Sequence, residues 1–234
     1  MVTLISTELY KIFRKWRSYI GFIAITLLIL LVETAMYFEG QGFLNAQLRG
    51  LDAFVFSGNL LNGYLIAYFV MGALVIHIPF LITLVAGDLL AGEATAGTYR
   101  MLITRPISRF KLVTAKFLSG LIYTLLLIVW LAALSLGLGL FLFGSGELIV
   151  FQNSFIIFAK DDIIWRFILA YGFATLSMSV VASLAFLFSS LVENAIGPII
   201  TTMAIVIVFV ILSTINIDFF RDLRPYLFTT YMMD

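Results

Sequence analysis

Five long apolar runs constrain the fold of this chain more than any other feature of its sequence. A helix needs roughly 20 apolar residues to cross a hydrocarbon core about 30 Å thick, and each run is close to that length or longer. The runs are Ile20–Phe38, Leu60–Ala86, Phe117–Phe143, Phe167–Leu191 and Ala195–Ile215. The sequence therefore predicts an all-α integral membrane protein, a polytopic helical bundle with five spans.

The composition agrees with this class. Of the 234 residues, 62% are hydrophobic and only 12% are charged, whereas about a quarter are charged in a typical globular domain. No polar stretch is long enough to enclose a separate core, so we expect one membrane domain over residues 1–234. A net charge of +1 gives no reason to expect a nucleic acid partner, and the absence of cysteine excludes disulfides and thiolate chemistry.

Lysine and arginine residues are unevenly distributed over the predicted loops. Nine lie before the first span or between the second and third spans, and five lie on the opposite side. The nine are Lys11, Arg14, Lys15, Arg17, Arg100, Arg105, Arg109, Lys111 and Lys116. Because cytoplasmic loops carry the excess of such residues, we expect a multi-pass protein of the plasma (inner) membrane with its N-terminus in the cytoplasm.

Residues 1–18 have the pattern of an amphipathic helix. One face carries the apolar residues Ile5, Leu9, Ile12, Phe13 and Trp16, and charged residues, Glu8 among them, occupy the other face. Such a helix lies in the headgroup layer, with its cations near anionic membrane lipid. Two interpretations stay open: a topological anchor, or an anchor that also contacts a cytoplasmic subunit.

A charged, glycine-containing segment, residues 87–116, separates the second and third spans. Its helical spacing predicts one polar ridge that ends near Thr104, because the residue before Pro106 avoids the helical region. The ridge consists of Leu89, Glu93, Gly97, Arg100 and Thr104. Gly92 and Gly97 suggest close backbone approach, and Ser108 can cap a second helix that leads into the third span. Taken alone, the segment also fits a solvated connector.

Particular residues of this segment carry a resemblance to a known family. They are Gly87-Asp88, Gly92-Glu93, Gly97-Thr98, Arg105-Pro106-Ile107-Ser108-Arg109 and Lys116-Phe117. Their order, together with the layout of the spans, resembles the permease subunits of the type-2 ATP-binding-cassette (ABC) transporter family, over essentially the whole chain from Thr7 onward.

The resemblance implies a function and partners. The segment between spans two and three would be a cytoplasmic coupling helix that docks on a separate ATP-hydrolysing ABC subunit. The contacts would come from Glu93, Gly97, Thr98, Arg100, Arg105, Pro106 and Arg109. The chain would pair with a second permease subunit, as a homo- or heterodimer, in a prokaryotic exporter. Family members have six spans, so five imply that the last one is missing from this chain.

Sequence motifs for chemistry are absent. No GxxxxGK[ST] motif occurs, so we expect no cofactor in this chain and ATP bound by the partner subunit. One histidine and no cysteine make a zinc-type site impossible to build, and we expect no catalytic residues and no metal. The chain is therefore expected not to be an enzyme.

Two ionisable residues lie within the predicted spans. We expect Glu33 to reach the membrane interface and His77 to be neutral and bonded to a neighbouring helix, while Pro79 kinks the second span. The alternative function is an ion-gradient-driven secondary transporter, which would use intramembrane carboxylates or broken helices. By the resemblance, the loop Glu147–Arg166 would be a gate-like extracytoplasmic element.

Overall fold

A computed structural model describes residues 1–47, 60–98, 108–151, 155–158 and 160–214. Three of the predicted partner contacts, Arg100, Arg105 and Pro106, lie outside these residues. The helices are α1 (Val2–Arg14), α2 (Trp16–Gln47), α3 (Gly63–Leu74), α4 (His77–Ala86), α5 (Asp88–Thr95), α6 (Arg109–Phe143), α7 (Lys160–Leu191) and α8 (Ile196–Thr214). Two short strands, β1 (Leu148–Phe151) and β2 (Phe155–Phe158), lie between α6 and α7.

The prediction of an all-α polytopic membrane protein is confirmed. Within the described ranges, α2, α6, α7 and α8 are long and apolar enough to cross a membrane. Helices α3 and α4 meet the same criterion only as a bent pair, which gives a fifth span if the pair is one broken span rather than a re-entrant loop. The predicted amphipathic helix is also present, as α1, which ends at Arg14. Trp16, placed on its apolar face by the sequence pattern, instead begins α2.

The second span is interrupted at Val75 and Ile76, and Pro79 explains the position of the break. Proline has no N–H to donate to the carbonyl four residues earlier, which here is Val75. Pro79 itself lies in the first turn of α4, where that donor is not needed. The sequence predicted a kink at Pro79, and the structure shows it as a break between two helices just before His77.

The helix that begins the charged segment is shorter than predicted. It ends at Thr95 rather than near Thr104, because Gly97 adopts a left-handed φ of +68°. The N–H of Gly97 donates to the carbonyl of Ala94 (3.0 Å), and that of Thr98 donates to the carbonyl of Glu93 (3.1 Å). This pair of bonds is the Schellman motif, which closes a helix where glycine permits positive φ.

The chain forms two compact units. Unit 1 comprises Met1–Phe22, Val75–Ile128 and Phe173–Asp234, and unit 2 comprises Ile23–Leu74 and Val129–Gly172.

Unit 2 is held by a close backbone contact near the start of α3. A Cβ atom built on Gly63 would overlap the backbone of Gly139 on α6. The backbones of α3 and α6 thus touch at two residues that have no side chain. Asn62 caps α3: its Oδ1 accepts from the N–H groups of Tyr64 and Leu65, both at 3.1 Å. The Gly63–Gly139 pair is called the glycine contact below.

Two further features of unit 2 concern regions singled out in the sequence. The loop Glu147–Arg166 contains an antiparallel hairpin in which Leu148 pairs with Phe158 and Phe151 with Phe155, and the gate-like role of this loop stays a prediction. Glu33 does not reach an interface: it lies inside α2 and is 1% exposed, and neither carboxylate oxygen has a hydrogen-bond partner among the described residues. The prediction that its carboxylate reaches an aqueous interface was therefore wrong, since the side chain is buried. Helix α2 itself continues to Gln47, past the expected end of the span at Phe38.

Candidate functional site

Seven charged side chains of unit 1 form two groups of ion pairs, and both groups include a residue of α5. We call it the charged cluster. Its members are Glu8, Lys11, Lys15, Arg17, Asp88, Glu93 and Lys116. Lys15 lies between α1 and α2, and the others come from α1, the first turn of α2, α5 and α6, so the cluster ties the short helix α5 to its neighbours.

Lys116 is at the centre of the charged cluster. Its side chain is 1% exposed, and its Nζ lies 2.7 Å from Oε2 of Glu8 and 2.6 Å from Oε1 of Glu93. Lys11 contacts the same two carboxylates, at 2.6 Å from Glu8 and 3.3 Å from Glu93. Two buried carboxylates thus share two cations, the pairing that a buried charge requires.

Asp88, the first residue of α5, forms the second half of the cluster. Its carboxylate accepts from Lys15 Nζ at 2.6 Å and from Arg17 Nη1 at 3.0 Å. An acidic residue is also favoured at a helix N-terminus by the helix dipole. The carboxylate lies over Gly92, where a Cβ atom would overlap it. The expected close approach at Gly92 is therefore present, with a side chain of its own helix.

The cluster shifts the pKa values of Glu8 and Lys11 in opposite directions. Burial by itself raises the pKa of Glu8, but the attraction of Lys116 and hydrogen bonds from Lys11 and Lys116 outweigh it, so the pKa lies below its ordinary 4.5. Burial likewise opposes the charge of Lys11, and its hydrogen bond and attraction to Glu8, with a further attraction to Glu93, raise the pKa above 10.5. Both groups are therefore charged near neutral pH.

The other side of α5 is fixed by one buried serine near the end of α7. Ser189 Oγ accepts from the N–H groups of Leu90 (3.1 Å) and Ala91 (2.9 Å) and donates to the carbonyl of Gly87 (2.6 Å). The first amides of a helix lack a full set of partners inside it, and Ser189 provides an acceptor at this end of α5. Thr95 at the other end donates to the carbonyl of Glu193 at 2.7 Å. Helix α5 is thus held at both ends and on its charged face.

The predicted site residues that the structure describes either are largely buried in the charged cluster or lie at more exposed positions. Glu93 is directed into the charged cluster, and its side chain is 12% exposed. Gly97 is exposed just past the end of α5, Thr98 follows it half-buried, and Arg109 is exposed at the start of α6. His77 is exposed at the start of α4. The role of Glu93, Gly97, Thr98 and Arg109 in binding a partner subunit stays a prediction, as does the role of His77 as an intramembrane polar residue.

Sequence reasoning missed most of the charged cluster. Glu8 was assigned to the polar face of α1, yet it is 4% exposed and ion-paired with Lys116. Ser189 carried no sequence signal at all. A signal for the acids existed: Glu8, Asp88 and Glu93 lie in the segments that carry the excess of lysine and arginine, where ion pairs are the expected outcome.

Comparison with known proteins places this arrangement in a family. The uncharacterized protein YhcI of Bacillus subtilis (strain 168) is 30% identical over 118 residues, which is 48% of this chain and 37% of the relative. The matched region thus covers well under half of that protein. No solved structure matches the chain significantly. The family profile described as ABC-2 family transporter protein matches residues 2–223. With its membrane helices and the short helix α5 between them, the chain belongs to the ABC-2 family of transporter proteins.

Proposed function

We propose that this chain is the transmembrane permease subunit of an ABC exporter and that a separate ATPase subunit drives it through α5. The observation that carries the proposal is the attachment of α5 to four other helices. Its N-terminus is bonded to Ser189 of α7, its charged face to α1, α2 and α6. A displacement of such a helix moves the membrane helices joined to it.

The exposed C-terminal end of α5 supports a docking role. Thr95, Ala96 and Gly97 are exposed, whereas Leu89 and Leu90 at the other end are buried. A partner can therefore reach the C-terminal end of α5, and it can also reach Arg109, which is exposed at the start of α6. Glu93 instead holds α5 in position through its ion pairs with Lys11 and Lys116. We expect Gly97, Thr98 and Arg109, with the undescribed Arg100, Arg105 and Pro106, to contact the ATPase subunit.

The remaining parts of the proposal follow from the family and the charge distribution. The partner binds and hydrolyses ATP, since this chain lacks a phosphate-binding loop and performs no bond chemistry. Two permease subunits pair to form the substrate path. The lysine- and arginine-rich segments, and with them α1 and α5, lie on the cytoplasmic side.

Affinity purification in mild detergent tests the proposal. A tagged chain should recover a P-loop ATPase in a stoichiometric amount, and Arg109→Glu should reduce that recovery at least about tenfold, as loss of a docking cation can cost over 1.4 kcal/mol. Lys111→Glu is the matched control, because Lys111 is equally exposed on the same turn and is not a predicted contact. No ATPase recovered with the unmodified chain, or transport that stops with the ion gradient and continues without ATP, would contradict the proposal.

A further inference from the structure

A cavity of about 540 Å³ lies within unit 1 beside the charged cluster. It is bounded by α1, the start of α2, the end of α4, α5 and the start of α6. Its volume is in the range of small-molecule sites in proteins. Neither the family nor the proposed coupling role assigns a ligand to it.

The charge of the cavity wall favours an anion. The lining includes five cations and three acids, an excess of two positive charges. Each of the three acids is already ion-paired within the cluster. Arg14 lines the cavity, is exposed, and makes no ion pair with any residue that the structure describes. Lys15 and Arg17 each use one donor on Asp88 and remain 48% and 52% exposed. Three neighbouring cations thus have donors left for one anionic group.

The remainder of the wall is apolar. Leu84 and Leu112 line the cavity and are only partly buried, and Val85 and Leu89 lie beside them. A lining that combines exposed cations with aliphatic side chains fits an amphiphile better than a free phosphate ion. Its position fits as well, since it lies where the amphipathic helix α1 leads into the membrane helix α2.

The aromatic residues around these cations indicate the depth of the site. Tyr10 and Trp16 are 66% and 73% exposed and bracket Arg14 and Lys15 in the chain. Tyrosine and tryptophan are enriched at the level of lipid headgroups. A lipid phosphate at this depth lies within reach of juxtamembrane cations.

We propose that this cavity binds the headgroup of an anionic glycerophospholipid, with the phosphodiester at Arg14, Lys15 and Arg17 and the start of an acyl chain against Leu84 and Leu112. The ligand would bridge α1 and the α4–α5 junction. It would thereby stabilise unit 1 independently of any ATPase subunit.

A lipid titration of the purified full chain tests this site. Thermal unfolding is followed in an uncharged detergent while phosphatidylglycerol or phosphatidylcholine is added to the micelles. We expect a saturable increase in melting temperature with phosphatidylglycerol and none with phosphatidylcholine. Arg14→Gln should raise the half-saturating mole fraction about fivefold, as expected for the loss of one cation near a headgroup.

Three controls make the outcome decisive. Arg109→Gln removes the same charge from an exposed position outside the cavity and should shift half-saturation less than about twofold. Lys15→Gln is a second cavity variant in which Asp88 keeps Arg17, and it should behave like Arg14→Gln. Equal shifts for Arg14→Gln and Arg109→Gln would overturn the site in favour of diffuse surface attraction. Equal stabilisation by water-soluble glycerol phosphate would overturn the lipid as its occupant.

Discussion

The two units of this protein hold their helices together by opposite means. In unit 1, buried side chains of opposite charge join α1, α5 and α6, with Lys116 at the centre. In unit 2, α3 and α6 meet at the glycine contact, where side chains are absent and the backbones touch. The packing of α1, α5 and α6 in unit 1 should therefore be sensitive to the loss of one charged partner, whereas the packing of α3 against α6 in unit 2 should be sensitive to the addition of a single methyl group.

Removing the central cation should give the largest effect. Lys116→Met leaves Glu8 and Glu93 buried with only Lys11 between them, and we expect a loss of about 3–5 kcal/mol in the free energy of unfolding. Reversible unfolding in mixed micelles measures it. Lys111→Met, five residues earlier on the same helix and exposed, should cost less than about 0.5 kcal/mol. A comparable small loss for both variants would show that the cluster is solvated rather than buried.

A methyl group at the glycine contact should give the next largest effect. Gly63→Ala forces the backbones of α3 and α6 apart, and we expect a loss of about 1–3 kcal/mol by the same measurement. Gly72→Ala is the control on the same helix: nothing lies within 4 Å of its added Cβ, and alanine should be neutral or stabilising by up to about 1 kcal/mol. If Gly63→Ala matched Gly72→Ala, the contact would not hold unit 2.

Removing the serine that holds α5 should have a smaller effect. Ser189→Ala leaves two amides at the start of α5 without their acceptor, and we expect a loss of about 1–2 kcal/mol. Ser190→Ala is the control, because Ser190 is exposed and its hydroxyl donates to the carbonyl of Leu187 in its own helix. Faster hydrogen exchange confined to the start of α5 should accompany Ser189→Ala. Equal stability of the two variants would contradict the role of Ser189.

The charged cluster of unit 1 should also respond to pH. The lowered pKa of Glu8 means that its contribution to stability is complete above 4.5 and is lost as pH falls through the folded value. The raised pKa of Lys11 means that its contribution is complete below 10.5 and is lost as pH rises through the folded value. Hydrogen exchange should show unit 1 loosening at both limits, and Lys11→Met should abolish the alkaline limb. A pH response confined to unit 2 would contradict this assignment.

The smallest effect is expected from the exposed ion pair of unit 2. Arg166 lies 2.7 Å from Asp162, but both side chains are half exposed, and the pair also places the guanidinium 4.3 Å from the ring centroid of Phe158. Arg166→Gln should cost less than about 1 kcal/mol. A loss as large as that of Lys116→Met would mean that burial does not distinguish the two ion pairs.

The spans were predictable because their signal is local. A run of apolar residues identifies a membrane helix whatever it packs against, and Pro79 marked the break in the second span. The end of α5 was also encoded locally, by Gly97, but the helical spacing of Arg100 and Thr104 was given more weight than a glycine in a position to end the helix. The prediction therefore extended α5 too far.

The charged cluster was less accessible to sequence reasoning, because its partners are distant in the chain. Lys116 and Glu8 are 108 positions apart, and Lys11 and Glu93 are 82 apart. Spacing within one helix shows which residues share a face, but it cannot show which other helix covers that face. The same limit applied to Glu33, whose burial depends on the helices around it.

Site-specific cross-linking tests the central claim, that a partner ATPase engages the end of α5, most directly. The chain has no cysteine, so a photoreactive group attached to Ala96→Cys reacts from one exposed position only. We predict a cross-linked product that contains a P-loop ATPase and changes in yield when ATP is added, with no such product from Ile157→Cys on β2, which is 55% exposed. ATPase captured from Ile157→Cys and not from Ala96→Cys would contradict the account.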